Sequence, residues 1–383
     1  MLIAAAVSVA LFFAPAQPAA EKPLVTAERS PGQGIQPQTL VGGDGALHLL
    51  TYHGDARGGD LFYQRRESGG AWSKAQRVNS TPGSAVAVGN SRGGQIALGH
   101  DGAVHVAWNG ATTGKPKGEG SPMLYSRLTG GADAFQKQRN LMTRSRELDG
   151  GGSVAADSNG RVYVVWHGLP SDPKAKGESD RRVFVAASTD DGATFAPEEP
   201  VSEGVNGACG CCGLRAAALP DGALLILYRA AGERVNRDMR LLRSCDGAKT
   251  FADVRLDPWK LDTCPMTTAS AAPLRPGAVA AWETQQRIRW ATLRADGKPV
   301  EAHDVATGGK GQRYPAVAVD AAGRVMVAWT EGMRWNTGGK ACWQVFDSAG
   351  KPIADAAGEV EGVAPWGLVA AAPRPGGGFF VFY

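Results

Sequence analysis

Asn159-Gly160-Arg161-Val162-Tyr163-Val164-Val165-Trp166 is a turn followed by a short apolar strand that ends on a large aromatic residue. An Asn-Gly pair supplies the positive φ of a tight hairpin turn, and β-branched and aromatic residues suit a buried strand. The same string returns six times: Asp44-Gly45 to Tyr52, Asp101-Gly102 to Trp108, Asp221-Gly222 to Tyr228, Pro276-Gly277 to Trp282, Ala322-Gly323 to Trp329 and Gly376-Gly377 to Tyr383. Its aromatic ends are 56, 58, 62, 54, 47 and 54 residues apart. A small-residue strand precedes each copy, as in Pro315-Ala316-Val317-Ala318-Val319. Most copies are followed by a second hairpin, as in Arg182 to Ser188 and Phe195 to Val201. Four short antiparallel strands every ~40–55 residues describe an all-β chain folded as a β-propeller.

Seven first hairpins but only six second hairpins are present. Leu24-Val25-Thr26-Ala27 can complete the last sheet, giving seven four-stranded blades; six blades with an appended hairpin is the alternative. The 52 glycines among 383 residues fit many tight turns between short strands. Lys and Arg number 41 against 37 Asp and Glu, a formal charge of +4, spread too evenly to imply nucleic acid or anionic lipid as partner. Met1 to Ala20, apolar from Leu2 to Phe13 and followed by small residues and prolines, reads as a secretory signal peptide, although it lacks Lys or Arg at its start. Residues 21–383 are then expected to form one propeller, exported to the periplasm or outside the cell, monomeric, with no membrane contact beyond the leader.

Ser188-Thr189-Asp190-Asp191-Gly192-Ala193-Thr194-Phe195 fits the pattern S-x-D-x-G-x-T-[FW] between the third and fourth strands of the third repeat. Asp190 can accept N–H bonds within the turn, Gly192 supplies positive φ, and Phe195 packs beneath. Ser244-Cys245-Asp246-Gly247-Ala248-Lys249-Thr250-Phe251 is a weaker copy, and Arg294-Ala295-Asp296-Gly297 an eroded one. This is the Asp-box, and the chain resembles the sialidase-like propeller superfamily over nearly all of its mature length. It looks closest to secreted bacterial proteins with a Cys209-Gly210-Cys211-Cys212 type segment, an Arg237-Asp238 pair and Trp259 ahead of Cys264-Pro265. The resemblance implies a propeller; the box itself is a structural turn in that family.

Propeller ligands sit at one mouth of the axial channel. The residues that leave each second strand there are His53, Asn109, His167, Arg229, Glu283 and Glu331. Those that enter each first strand include Arg92, Asp149, Cys209 to Arg215, Thr267-Thr268, Arg313-Tyr314 and Trp366. The concentration of polar groups predicts a wet, ligand-binding mouth, with Trp335 a platform for a sugar ring. The loops Ala111 to Pro122 and Leu169 to Arg181 leave the same face and are expected to bind ligand. The expected partner is a glycan, or another small molecule or peptide.

In sialidases as a family three arginines hold the substrate carboxylate, a Tyr activated by a Glu is the nucleophile, and an Asp is the acid. The resemblance offers Arg92, Arg215, Arg229 and Arg313 for the carboxylate, Tyr314 as nucleophile, Glu283 or Glu331 as its partner and Asp149 as acid. The family's N-terminal Phe/Tyr-Arg-Ile-Pro motif is absent; the nearest strings are Arg29-Ser30-Pro31 and Arg313-Tyr314-Pro315. A non-catalytic glycan- or protein-binding propeller is therefore the alternative reading.

Export makes the six cysteines disulfide candidates. Cys209, Cys211 and Cys212 enter the fourth repeat and Cys264 the fifth, so a bond from Cys211 or Cys212 to Cys264 would pin two blades. A thiolate metal site with His167, or a redox role, stays as a third reading, the spacing being read as lacking the C-x-x-C pairs of zinc sites. No cofactor and no metal is otherwise expected. Cys342 reads as a buried thiol and Cys245 as unpaired.

Overall fold

Short strands separated by glycine turns leave little room for helix. The computed structural model describes residues 23–383 apart from 91, 113–119, 295 and 306–310. Its only α-helix among the described residues is the single turn Gly177–Asp180. The proposed signal peptide and most of the Ala111 to Pro122 loop lie outside the described residues. No described helix is long and apolar enough to cross a membrane.

The strands form seven sheets. Their first strands are Ile35–Val41, Gln95–Leu98, Ser153–Ala156, Arg215–Ala218, Ala269–Pro273, Arg313–Val319 and Ala370–Pro373, and these define blades 1 to 7. Each pairs antiparallel with a second strand that ends on or near the repeated aromatic: Leu47–Asp55, Val104–Asn109, Val162–Pro170, Leu224–Arg229, Ala278–Thr284, Val325–Glu331 and Phe379–Phe382. In all seven turns between them the glycine has positive φ, from 72° at Gly102 to 106° at Gly377, a conformation that a Cβ disfavours.

Each first strand lies against the first strand of the next blade, and the seventh returns to the first. Val25–Glu28 closes the ring by pairing in parallel with Phe379–Phe382. The fold is thus seven-bladed, and the N-terminal segment completes the last sheet, which holds three strands where the first six carry third and fourth strands of their own. Velcro of this kind ties chain start to chain end and removes an open edge.

Seven hydrophobic clusters fill the seven gaps between neighbouring sheets. Trp108, Trp166, Trp282 and Tyr228 are fully buried in them, the wide outer part of each wedge demanding large side chains. Burial on that scale, about 1.5–3 kcal/mol for each large side chain, dominates the stability of the ring. Small residues line the narrow axis instead: Ala316, Ala318, Ala370 and Ala372 belong to first strands.

Both Asp-boxes form as read. Asp190 accepts from Thr194 N–H at 2.8 Å and Thr194 Oγ1 at 2.6 Å, and Ser188 Oγ donates to Asp190 at 2.7 Å. Asp246 binds Thr250 in the same way. The Asp191 N–H donates to the Gly160 carbonyl at 2.8 Å, which places the box at the hairpin-turn end of the ring, opposite the mouth.

Candidate functional site

In six of the seven blades the second strand ends on or near a polar residue, and four of these reach across to the segment entering the next blade. Asn109 Nδ2 donates to the carbonyls of Asp149 at 3.1 Å and Gly150 at 3.0 Å. His167 Nε2 donates to the Cys212 carbonyl at 2.8 Å. Arg229 Nε donates to Thr267 Oγ1 at 3.4 Å, and Glu283 meets the Arg313 guanidinium at 3.5 Å. Gly150 has no side chain because a Cβ there would lie 2.1 Å from the Cys212 carbonyl oxygen.

These contacts correct the expectation of a wet ring. Asn109, His167, Arg229 and Glu283 are at most 3% exposed, and they latch blade to blade rather than face ligand. Arg229 also donates to the carbonyls of Arg237 and Glu283, and its guanidinium stacks 5.0 Å from the Trp259 ring centre. Glu331 accepts from Trp329 Nε1 at 2.9 Å and lies near Lys340, so its partners are in its own blade. His53 is half-buried, bonded to Thr51 and set edge-on to Phe62. The Leu169 to Arg181 loop also packs inward: Glu178 binds Arg237 at 2.7 Å and accepts the Gly210 N–H at 2.7 Å.

The open part of the mouth is made by other residues. The first strands surround an axial cavity of about 320 Å³ lined at its polar end by Gln38, Asn90, Arg92, Gln95, Arg215 and Tyr314. Arg215 leans across the channel: its guanidinium donates to Gln38 Oε1 at 2.9 Å, to Gln95 Oε1 and toward the Ala269 carbonyl. No carboxylate offsets its charge among the described residues, and burial alone pulls its pKa down to about 10. Arg92 is different, being bonded to both the side chain and the carbonyl of Asp149.

Trp335 is 61% exposed and packs edge-to-face on Trp366 with ring centres 4.5 Å apart. Around Gly89 a Cβ would lie 2.9 Å from Arg92 Nη1, 3.4 Å from Met266 Cε and 3.8 Å from Trp335 Cζ3, so loops of blades 2, 5 and 6 converge there. Six of the seven segments entering a first strand hold a non-glycine residue at positive φ: Gln36, Asn90, Glu147, Met266, Tyr314 and Trp366. At Gln36 and Tyr314 the left-handed residue sits in a break of strand register. Strained backbone is thus concentrated at one end of the ring, where bulges re-aim side chains.

The residues proposed for hydrolysis are only partly assembled. Arg313 donates to the Pro265 carbonyl at 2.7 Å and the Met266 carbonyl at 3.1 Å, and its guanidinium lies 4.8 Å from the Tyr314 ring centre. Burial pushes the Glu283 pKa up to about 7 against the opposing pull of Arg313 and Arg229. Burial likewise pushes Tyr314 up to about 12, the reverse of an activated phenol. Gln38 and Gln95 escaped the sequence reading. They lie within the first strands, whose residues line the channel, and not in the segments that enter or leave the strands.

Four of the six cysteines gather at the same end. Cys211 and Cys264 form a disulfide that ties the segment entering blade 4 to that entering blade 5. Cys209 and Cys212 are buried thiols with their sulfurs 3.1 Å apart. Their spacing, Cys209-x-x-Cys212, is a C-x-x-C pair after all. Cys342 is buried and Cys245 exposed, both free.

The ring of seven blades is similar in fold to several solved structures. It is similar to a protein of unknown function from Dyadobacter fermentans (TM-score 0.53, 18% identity, 78% of this chain and 91% of that one). It is also similar to a leech intramolecular trans-sialidase (TM-score 0.51, 8% identity, 91% and 86%) and to an α-L-arabinanase of Penicillium chrysogenum (TM-score 0.53, 12% identity, 84% and 95%). At these identities the likeness is one of fold. No protein-family model and no curated protein matches the chain.

Proposed function

We propose that this protein is an exported glycan-binding propeller that takes an acidic saccharide at its axial mouth. Two features at the mouth end of the ring carry the reading: Arg215, a cation lining the axial cavity with no carboxylate partner among the described residues, and the exposed Trp335, packed on Trp366. A guanidinium recognises a carboxylate by paired charged hydrogen bonds, and an aromatic face covers the apolar face of a sugar ring. A cavity of about 320 Å³ suits a single sugar unit. The Cys211–Cys264 disulfide supports an oxidising compartment, and cell fractionation that leaves the chain in the reducing cytosol would count against export.

Titration calorimetry with a sialylated trisaccharide and its neutral counterpart tests the reading. Binding of the acidic sugar alone is expected, weakened at least about tenfold in Arg215→Gln or Trp335→Ala. Equal affinity for both sugars, or none for either, would end it.

Hydrolysis is the second reading, favoured by one observation: Glu283, with its pKa near 7, lies one guanidinium away from Tyr314. Turnover of a fluorogenic sialoside, lost in Arg313→Ala, would establish it. Absence of turnover alongside intact binding leaves the protein a lectin-like propeller.

A further inference from the structure

Four sulfur atoms meet behind the mouth, and the binding function uses none of them. The Sγ atoms of Cys209, Cys211 and Cys212 all lie within 4.8 Å of one another, and Cys211 is bonded to Cys264. Cys209 is central, its sulfur 3.1 Å from that of Cys212 and 3.5 Å from that of Cys211. Cys264 is exposed, Cys211 half-buried, and Cys209 and Cys212 are 1% and 2% exposed. A surface disulfide therefore abuts a buried dithiol through one sulfur.

We propose that these four cysteines form a two-electron thiol–disulfide relay, in which the disulfide migrates between the exposed pair Cys211–Cys264 and the buried pair Cys209–Cys212.

The surroundings supply what exchange needs. Thiolate is the attacking species, and neighbouring donors and cations stabilise it. The Thr267 N–H and Oγ1 each point at Cys212 Sγ from 3.4 Å, and Arg229, bonded to the same Thr267 Oγ1, adds a nearby positive charge. Burial opposes ionisation, but the Cys209 S–H, Arg229 and Thr267 together bring the Cys212 pKa down to about 6, while Cys209 retains its proton. On the other side of Cys209 stand Arg237 and Glu178, themselves paired at 2.7 Å. A divalent metal finds a poor match here: only two thiols are free, and the nearby ionic groups include two buried arginines.

The steps balance within the cluster. Cys209 and Cys212 share one proton across 3.1 Å, and when it sits on Cys212 the Cys209 thiolate attacks Cys211 Sγ. A Cys209–Cys211 bond forms and the Cys211–Cys264 bond breaks, its electron pair leaving on Cys264, which takes a proton from solvent. Cys212 then attacks Cys209 Sγ and releases Cys211, which takes up the Cys212 proton. One disulfide and two thiols remain throughout, so no external oxidant or reductant is consumed. Arrival at the buried pair frees Cys264 and with it the Pro265 and Met266 carbonyls that hold Arg313.

The test is disulfide mapping by mass spectrometry on the purified full chain, held anaerobically at neutral pH, acid-quenched, alkylated and digested with pepsin. Both Cys211–Cys264 and Cys209–Cys212 peptides are expected from wild type, only Cys211–Cys264 from Cys209→Ser, and Cys209–Cys212 from Cys264→Ser after treatment with oxidised glutathione. Wild type yielding Cys211–Cys264 alone, with no Cys209–Cys212 bond in Cys264→Ser, overturns the relay. One equivalent of thiolate-bound metal in the protein as purified overturns it too.

Discussion

The Glu283 carboxylate of blade 5 lies 3.5 Å from the Arg313 guanidinium of blade 6, with 2% of the Glu283 side chain exposed. This buried ion pair joins two sheets at the rim of the mouth, and its acid is held near pKa 7 by burial. Removing a carboxylate from water costs more than one imperfectly placed guanidinium returns.

Stability should therefore depend on pH through Glu283. Its pKa rises from 4.5 to about 7 on folding, so between those values the folded protein holds a proton that the unfolded chain has lost. Stability from this group falls as pH rises across that window. Glu283→Gln should gain on wild type by on the order of 2 kcal/mol between about pH 5 and about pH 7.5. Denaturant unfolding at the two pH values measures this, and a pH-independent difference would refute it.

His167 acts in the opposite sense. Burial first, and Arg181 second, pull its pKa down from 6.5 to about 4. Below 6.5 the unfolded chain gains a proton that the folded one refuses, so this contribution is lost as pH falls toward 4. His167→Gln, which can still donate to the Cys212 carbonyl, should flatten the acid side of the stability profile. His167→Ala leaves that carbonyl unpaired at a cost of about 1–3 kcal/mol at neutral pH.

Closure of the ring depends on residues far from the mouth. Glu28 binds Arg66 at 2.8 Å, and that guanidinium lies 4.5 Å from the Trp72 ring centre and 4.9 Å from that of Phe380. A chain beginning after Glu28 loses Val25–Glu28 and exposes the edge at Phe379–Phe382. A lower melting temperature and earlier proteolysis within blade 7 are expected. Unchanged melting would show that the N-terminal strand does not close the ring.

Asp190→Ala should cost about 1 kcal/mol, the usual loss when a side-chain acceptor of turn N–H groups is removed. Because the Asp-box is at the far end of the ring, affinity for a saccharide at the mouth should not move. Altered affinity, measured by the same calorimetric titration, would place the ligand elsewhere.

Much of the fold was legible because its signals are local. Asn159-Gly160 and Asp101-Gly102 need no distant partner to make a turn, and an apolar strand ending at Trp166 or Trp108 must be buried somewhere. The mouth was less legible. Arg215 and Arg229 both stand at the mouth end of blade 4, yet one spans the channel and the other lies under Trp259. Cys209 and Cys212 were visible as cysteines, but their common burial beside Thr267 arises from a neighbouring blade.

By itself the sequence determined that this is a propeller: its period, turn chemistry and inward small residues admit little else, since each is satisfied within one sheet. The tertiary structure alone decided the number of blades, through the pairing of Val25–Glu28 with Phe379–Phe382 across the whole chain. It also decided which polar residues are latches and which face solvent. Burial and charge pairing are set by the adjacent sheet, and no pattern within one repeat encodes what the next repeat will place against it.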